Sequence, residues 1–152
     1  MALAQPAMSP KTVTVKAPSG DIGTAVLTSA PTGVVIRIDV KGLTPGWHGM
    51  HLHEKGDCSD PKFTTAGAHI NHADMKVPHG LLNPAGPDYG DLPNLFVAAD
   101  GTGRAEVFTS LIKLSALIDA DGSALVIHAN PDDGMTQPIG GAGDRVACAV
   151  IK

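Results

Sequence analysis

Apolar residues in this chain recur with a period of two, and never for long. In Val34–Val40 (VVIRIDV), Val35, Arg37 and Asp39 share one face and the apolar set takes the other, the pattern of a half-buried β-strand. Thr12–Lys16, Gly23–Thr28, Gly49–His53, Asn94–Ala98, Arg104–Phe108, Ala124–His128 and Arg145–Lys152 read the same way. Turn signals separate them, among them Pro18-Ser19-Gly20, Pro31-Thr32-Gly33, Asp100-Gly101-Thr102-Gly103 and Asp121-Gly122-Ser123. A helical apolar period shows only over Thr109–Leu117. About eight short strands at this spacing predict an all-β fold, an eight-stranded antiparallel Greek-key sandwich or flattened barrel. The 18 Gly and 12 Pro among 152 residues agree with that reading and argue against a helix bundle.

Two stretches break the alternation. One is the Pro-rich run 58–93, and the other is 130–144 (NPDDGMTQPIGGAGD). Structureless loops of this length are uncommon in a compact domain and are usually functional. Both lie beside the histidines, so the fold is expected to carry two long functional loops. A net charge of −4 leaves no basic footprint, and no nucleic-acid partner is expected. No apolar run reaches the roughly 20 residues that span a bilayer, so no membrane insertion is expected. Residues 1–10 (MALAQPAMSP) lack charge and periodicity. They read as a flexible segment before a domain over 11–152, either a signal-peptide remnant ending near Ala2-Leu3-Ala4 or an ordinary terminus.

Cys58 and Cys148 belong to no C-x-x-C pair. They are either two unrelated buried thiols or one disulfide closing a very long loop, worth on the order of 4–5 kcal/mol in the chain-entropy model. The polar surroundings of Cys58 (GDCSD) favour the disulfide, and with it an oxidising compartment.

There are seven histidines. His51 and His53 stand two apart on a predicted strand and so face the same side. His69 and His79 lie in the first long loop, followed by Asp88 and Asp91, and His128 ends the apolar run ALVIH. Imidazole suits copper and zinc, and carboxylate supplements it at zinc. No H-E-x-x-H pattern supports zinc hydrolase chemistry.

The blocks GMHLHEKGDC (49–58), AGAHIN (66–71), HGLLNPAGPDYGDLPNL (79–95), DGSALVIHANPDD (121–133) and GGAGDRVACAVI (140–151) resemble the copper–zinc superoxide dismutases, most closely the secreted bacterial branch. The resemblance implies copper ligands at His51, His53, His69 and His128, with His69 shared with zinc, and further zinc ligands at His79 and Asp91. It implies a Cys58–Cys148 disulfide. Arg145 would hold the anionic substrate, and Asp132 would join one copper histidine to one zinc histidine. His48 matches a structural position. The implied activity is disproportionation of superoxide at a copper cycling between Cu(II) and Cu(I), with His69 and Arg145 taking part in turnover. The expected setting is antioxidant defence in the periplasm or outside the cell, with one copper and one zinc per chain. A homodimer is compatible with the sequence.

One position departs from the family. Asp88 stands where the family places a third zinc histidine, three residues before Asp91. Three arrangements follow: Asp88 completes the zinc site, Asp88 turns to solvent and leaves it incomplete, or His72 takes its place. The alternative function is a non-enzymatic copper-binding protein on the same scaffold. Arg145 and Asp132 weigh against it, because a carrier has no need of an anion-holding arginine. A metal-free sandwich used for adhesion would require every histidine to be incidental.

Overall fold

The computed structural model describes residues 8–152. Of the segment expected to be flexible, residues 1–7 lie outside that range, and Met8 packs against the core. The strands are β1 (Lys11–Ala17), β2 (Gly20–Ala30), β3 (Gly33–Val40), β4 (Gly46–His48), β5 (Met50–His53), β6 (Leu95–Val97), β7 (Gly103–Thr109), β8 (Ser123–His128) and β9 (Arg145–Ile151). The count is nine where eight were expected. The added strand is β4, too short for alternation to mark it. The helical period over Thr109–Leu117 shrinks to one turn, Leu114–Leu117.

All nine strands form one antiparallel sheet in the order β4-β6-β7-β3-β2-β1-β9-β8-β5. Its two edge strands, β4 and β5, are separated in the chain by Gly49 alone. The edges are thus covalently contiguous and the sheet closes on itself as a flattened barrel, which removes the exposed edge that an open sheet must protect. Alternation decides what fills it. Val34, Ile36, Ile38 and Val40 of β3 are buried while Arg37 and Asp39 are exposed. Outside, Arg37 pairs with Glu106 and Arg104 with Asp39 across β3 and β7. Such exposed pairs contribute about 0.2–1 kcal/mol each.

Strands β5 and β8 depart from alternating burial, since every residue in both is buried. Their inner faces carry Met50, Leu52, Leu125 and Ile127 into the core. Their outer faces are covered by the two long loops. Phe63 and Ala66 pack there against Ala124, Val126 and Cys148, a small second cluster outside the barrel. The Cys58–Cys148 disulfide, with Cα atoms 5.8 Å apart, pins the first loop to β9 at that point. Among the described residues no helix is long and apolar enough to cross a membrane.

Candidate metal centre

The site is built on the outer face of β5. His51 and His53 stand opposite Val126 and Ala124 of β8, and period two puts His128 on that same outer face. The first loop returns to this strand twice. The Leu52 N–H donates to the Gly90 carbonyl, and the Ile70 N–H donates to the Leu52 carbonyl, both at 2.9 Å. These two bonds bring His69 beside His53 and Asp91 beside His51. A Cβ on Gly90 would lie 2.3 Å from the Leu52 oxygen, so only glycine permits this approach.

Four ring nitrogens then converge. Donor atoms of His51, His53 and His69 lie within 4.8 Å of one another, and the His128 ring centre is 4.8 Å from that of His51. His51 Nδ1 and the Nε2 atoms of His53, His69 and His128 are buried without a hydrogen-bond partner, the only such side-chain atoms among the described residues. An unsatisfied buried polar atom costs about 1–3 kcal/mol. Four in one place, all imidazole, fit a copper ion, for which imidazole is a suitable ligand.

The second nitrogen of each ring is tied to protein. His53 Nδ1 lies 2.8 Å from the Gly67 carbonyl and His128 Nδ1 2.9 Å from that of Gly143. His51 Nε2 lies 2.6 Å from Asp132 Oδ2, and His69 Nδ1 lies 2.9 Å from Asp88 Oδ2. These acceptors select the ring nitrogen that carries the proton, and therefore the one left for metal.

A second donor set adjoins the first through His69. Donor atoms of His69, His79, Asp88 and Asp91 lie within 4.8 Å of one another, and all but His69 are fully buried. His79 Nδ1 contacts Asp91, and His79 Nε2 lies 3.1 Å from Asp132 Oδ1. Asp132 therefore touches one histidine of each set. Two nitrogens and two carboxylate oxygens match the donor types and number of a zinc site. Asp88 is only 2% exposed and faces this cluster rather than solvent. His72 does not replace it, because its ring stacks on Tyr89 with centres 3.8 Å apart.

Burial sets the protonation. It pushes His51 and His128 down to about 4 and His53 down to about 2, so all three are neutral at physiological pH, the form that binds metal. His79 moves the other way. Burial opposes its charge, but hydrogen bonds to Asp132 and Asp91 outweigh that and raise it to about 10. Against the effect of their own burial, hydrogen bonds from His51 and His79 hold Asp132, and those from His79 and the Gly80 N–H hold Asp91, below the usual carboxylate range.

Arg145, at the start of β9, lies in register with His128. It donates to the carbonyls of Phe63 and Gly67, both at 2.8 Å, and lines a cavity of about 560 Å³ with His53, His69 and Asp88. The Gly67 carbonyl thus serves both Arg145 and His53. His48 lies outside both donor sets, with one ring nitrogen against the His128 carbonyl and the other against that of Thr44.

Sequence reasoning missed the residues that hold this frame. Asn94 and Asp132 exchange bonds, the Asn94 amide donating to the Asp132 carbonyl and accepting from the Asp132 N–H, both at 2.9 Å. Gln137 accepts from the His79 N–H at 2.9 Å and donates to the His79 carbonyl at 2.7 Å. Their only signal was membership of, or adjacency to, the two long irregular stretches.

The chain matches the family described as copper/zinc superoxide dismutase over residues 21–151. It is 57% identical to a superoxide dismutase [Cu-Zn] of Caulobacter vibrioides over 148 residues, covering 93% of this chain and 84% of that relative. Its structure is similar to that of the Cu/Zn superoxide dismutase of Brucella abortus, with TM-score 0.79 and 32% identity, covering 95% of this chain and 100% of the other. It is also similar to a SOD-like protein of Bacillus subtilis, with TM-score 0.82 and 34% identity, covering 93% and 97%.

Proposed function

The chain belongs to the copper/zinc superoxide dismutase family, and on that premise we propose that the two donor sets are its metal sites. His51 Nδ1 and the Nε2 atoms of His53, His69 and His128 hold copper. His69 Nδ1, His79, Asp88 and Asp91 hold zinc. The observation that carries this reading is the group of four buried, unpartnered ring nitrogens on one strand face.

The activity is the disproportionation of superoxide, in which two superoxide anions and two protons give oxygen and hydrogen peroxide. When bound, copper would supply the one-electron couple between Cu(II) and Cu(I), and His79, Asp88 and Asp91 would hold zinc beside His69. Arg145 binds the anion. A guanidinium has five N–H donors, and two of Arg145's are spent on the Phe63 and Gly67 carbonyls, which fixes its plane while leaving others for substrate. His69 Nε2, whenever it is not bound to copper, would be the atom that carries a proton for the departing peroxide. Asp132 orients His51 and His79 together, coupling the geometry of the two sites. A copper carrier would have no use for an arginine fixed in this cavity, so the non-enzymatic alternative is not favoured.

The disulfide and the bacterial relatives support a location outside the cytoplasm, periplasmic or secreted. A homodimer would draw on the exposed Trp47–Phe96 pair of β4 and β6, whose ring centres are 5.0 Å apart. The activity is tested by stopped-flow decay of superoxide on protein loaded with copper and zinc. Decay far above a free-copper control is expected, with loss in His128→Ala. No decay above that control would leave a copper-binding protein.

A further inference from the structure

Every ring of the copper set has its second nitrogen held by a protein oxygen, and for His69 that oxygen belongs to Asp88. Three of these locks are Gly67 O on His53, Gly143 O on His128 and Asp132 on His51. A zinc ion on Nδ1 would provide the fourth, fixing His69 from the far side. In this chain Asp88 Oδ2 already sits 2.9 Å from that nitrogen. A carboxylate can only accept, so the proton lies on His69 Nδ1 and the lone pair on Nε2, which is buried and unpartnered.

Asp88 is itself held firmly. Its Oδ1 accepts from the Gly90 N–H and its own N–H donates to Asp91 Oδ2, both at 2.9 Å. Gly90 is also the residue that docks this loop on Leu52. The orientation of His69 is thereby tied to β5, the strand that carries His51 and His53.

We infer that Asp88 is a positioning residue that lets the copper site assemble without zinc. The Asp88–His69 hydrogen bond selects the tautomer and ring angle that zinc would otherwise impose. Zinc and the Nδ1 proton then become alternatives between the same two side chains. A carboxylate behind a metal-bound histidine is a known way to orient the ring, and losing one typically costs 10–100-fold in metal affinity. The inference rests on the assignment of His69 to both metals made above.

The test is titration of Cu(II) into zinc-free protein against a chelator competitor, with an electron paramagnetic resonance spectrum at one equivalent. Wild type is expected to bind copper with nearly the same affinity and the same four-nitrogen spectrum with or without zinc. Zinc-free Asp88→Ala is expected to bind copper about 10–100-fold more weakly with an altered spectrum. Asp88→Asn retains an acceptor oxygen and should rescue most of the affinity, which a merely structural loss would not allow. A zinc-free Asp88→Ala protein with wild-type affinity and spectrum overturns the inference, as does a wild type whose four-nitrogen spectrum requires zinc. If wild type lacks that spectrum even with zinc, the copper assignment itself fails.

Discussion

Gly140 lies so close to Asp132 that a Cβ built on it would stand 1.8 Å from Asp132 Oδ1. The second long loop thus folds around the carboxylate that joins the two donor sets. Gly140 also has φ of +66°, a conformation that costs other residues about 1–2 kcal/mol. Gly140→Ala is expected to displace Asp132 and weaken copper binding about 10–100-fold, as loss of an orienting partner does. Gly141→Ala is the control, with φ of +70° and open space around the new Cβ. It should cost about 1 kcal/mol in urea unfolding and leave copper affinity unchanged.

Arg145→Leu removes the positive charge at the cavity while leaving all four copper donors in place. Superoxide is an anion, and charge steering is worth 10–10³ in association rate. The second-order rate constant is expected to fall about tenfold to a hundredfold and to lose most of its salt dependence. Arg145→Lys keeps the charge without the paired bonds to Phe63 and Gly67, so it should fall in between. Stopped-flow decay at several ionic strengths reads both.

Metal-free protein should be most stable near pH 6.5. His51, His53 and His128 are held neutral by burial, so their contribution is complete above 6.5. As pH falls from 6.5 toward 4 the unfolded chain takes up protons there that the native state refuses, and stability drops by about 1.4 kcal/mol per unit for each histidine. His79, raised to about 10, has the opposite sign. Its contribution is present below 6.5 and is lost as pH rises toward 10. Urea midpoints across pH 4.5–9 should trace a dome with a steeper acid limb. A flat acid limb would show that these histidines are not held neutral.

Replacing Cys58 and Cys148 together by Ala frees a loop whose ends are 90 residues apart. Loop-closure entropy puts the loss on the order of 4–5 kcal/mol, read as a fall in the urea midpoint. The freed segment also carries Phe63 and Gly67, whose carbonyls hold Arg145 and His53. Superoxide turnover is therefore expected to decline in the variant even under conditions where it stays folded.

Much of this molecule was legible from residue order because its signals are local. Alternation in VVIRIDV placed Val34, Ile36, Ile38 and Val40 inside, and the structure puts them there. Two histidines two apart had to share a strand face, and His51 and His53 do. The barrel's closure was not legible, because it depends on β4, a three-residue strand whose pairing with β6 is a long-range event. Nor was the position of Asp88. A carboxylate in a turn-rich loop faces solvent or metal with equal ease, and only the docking of Gly90 on Leu52 turns it toward His69. The roles of Asn94, Gln137 and Gly140 were likewise decided by packing. Residue order determined which chemical groups were available and which strand faces they occupied. The tertiary structure alone determined which nitrogens remained bare, because that depends on carbonyls and carboxylates brought in from loop positions 14 to 81 residues away.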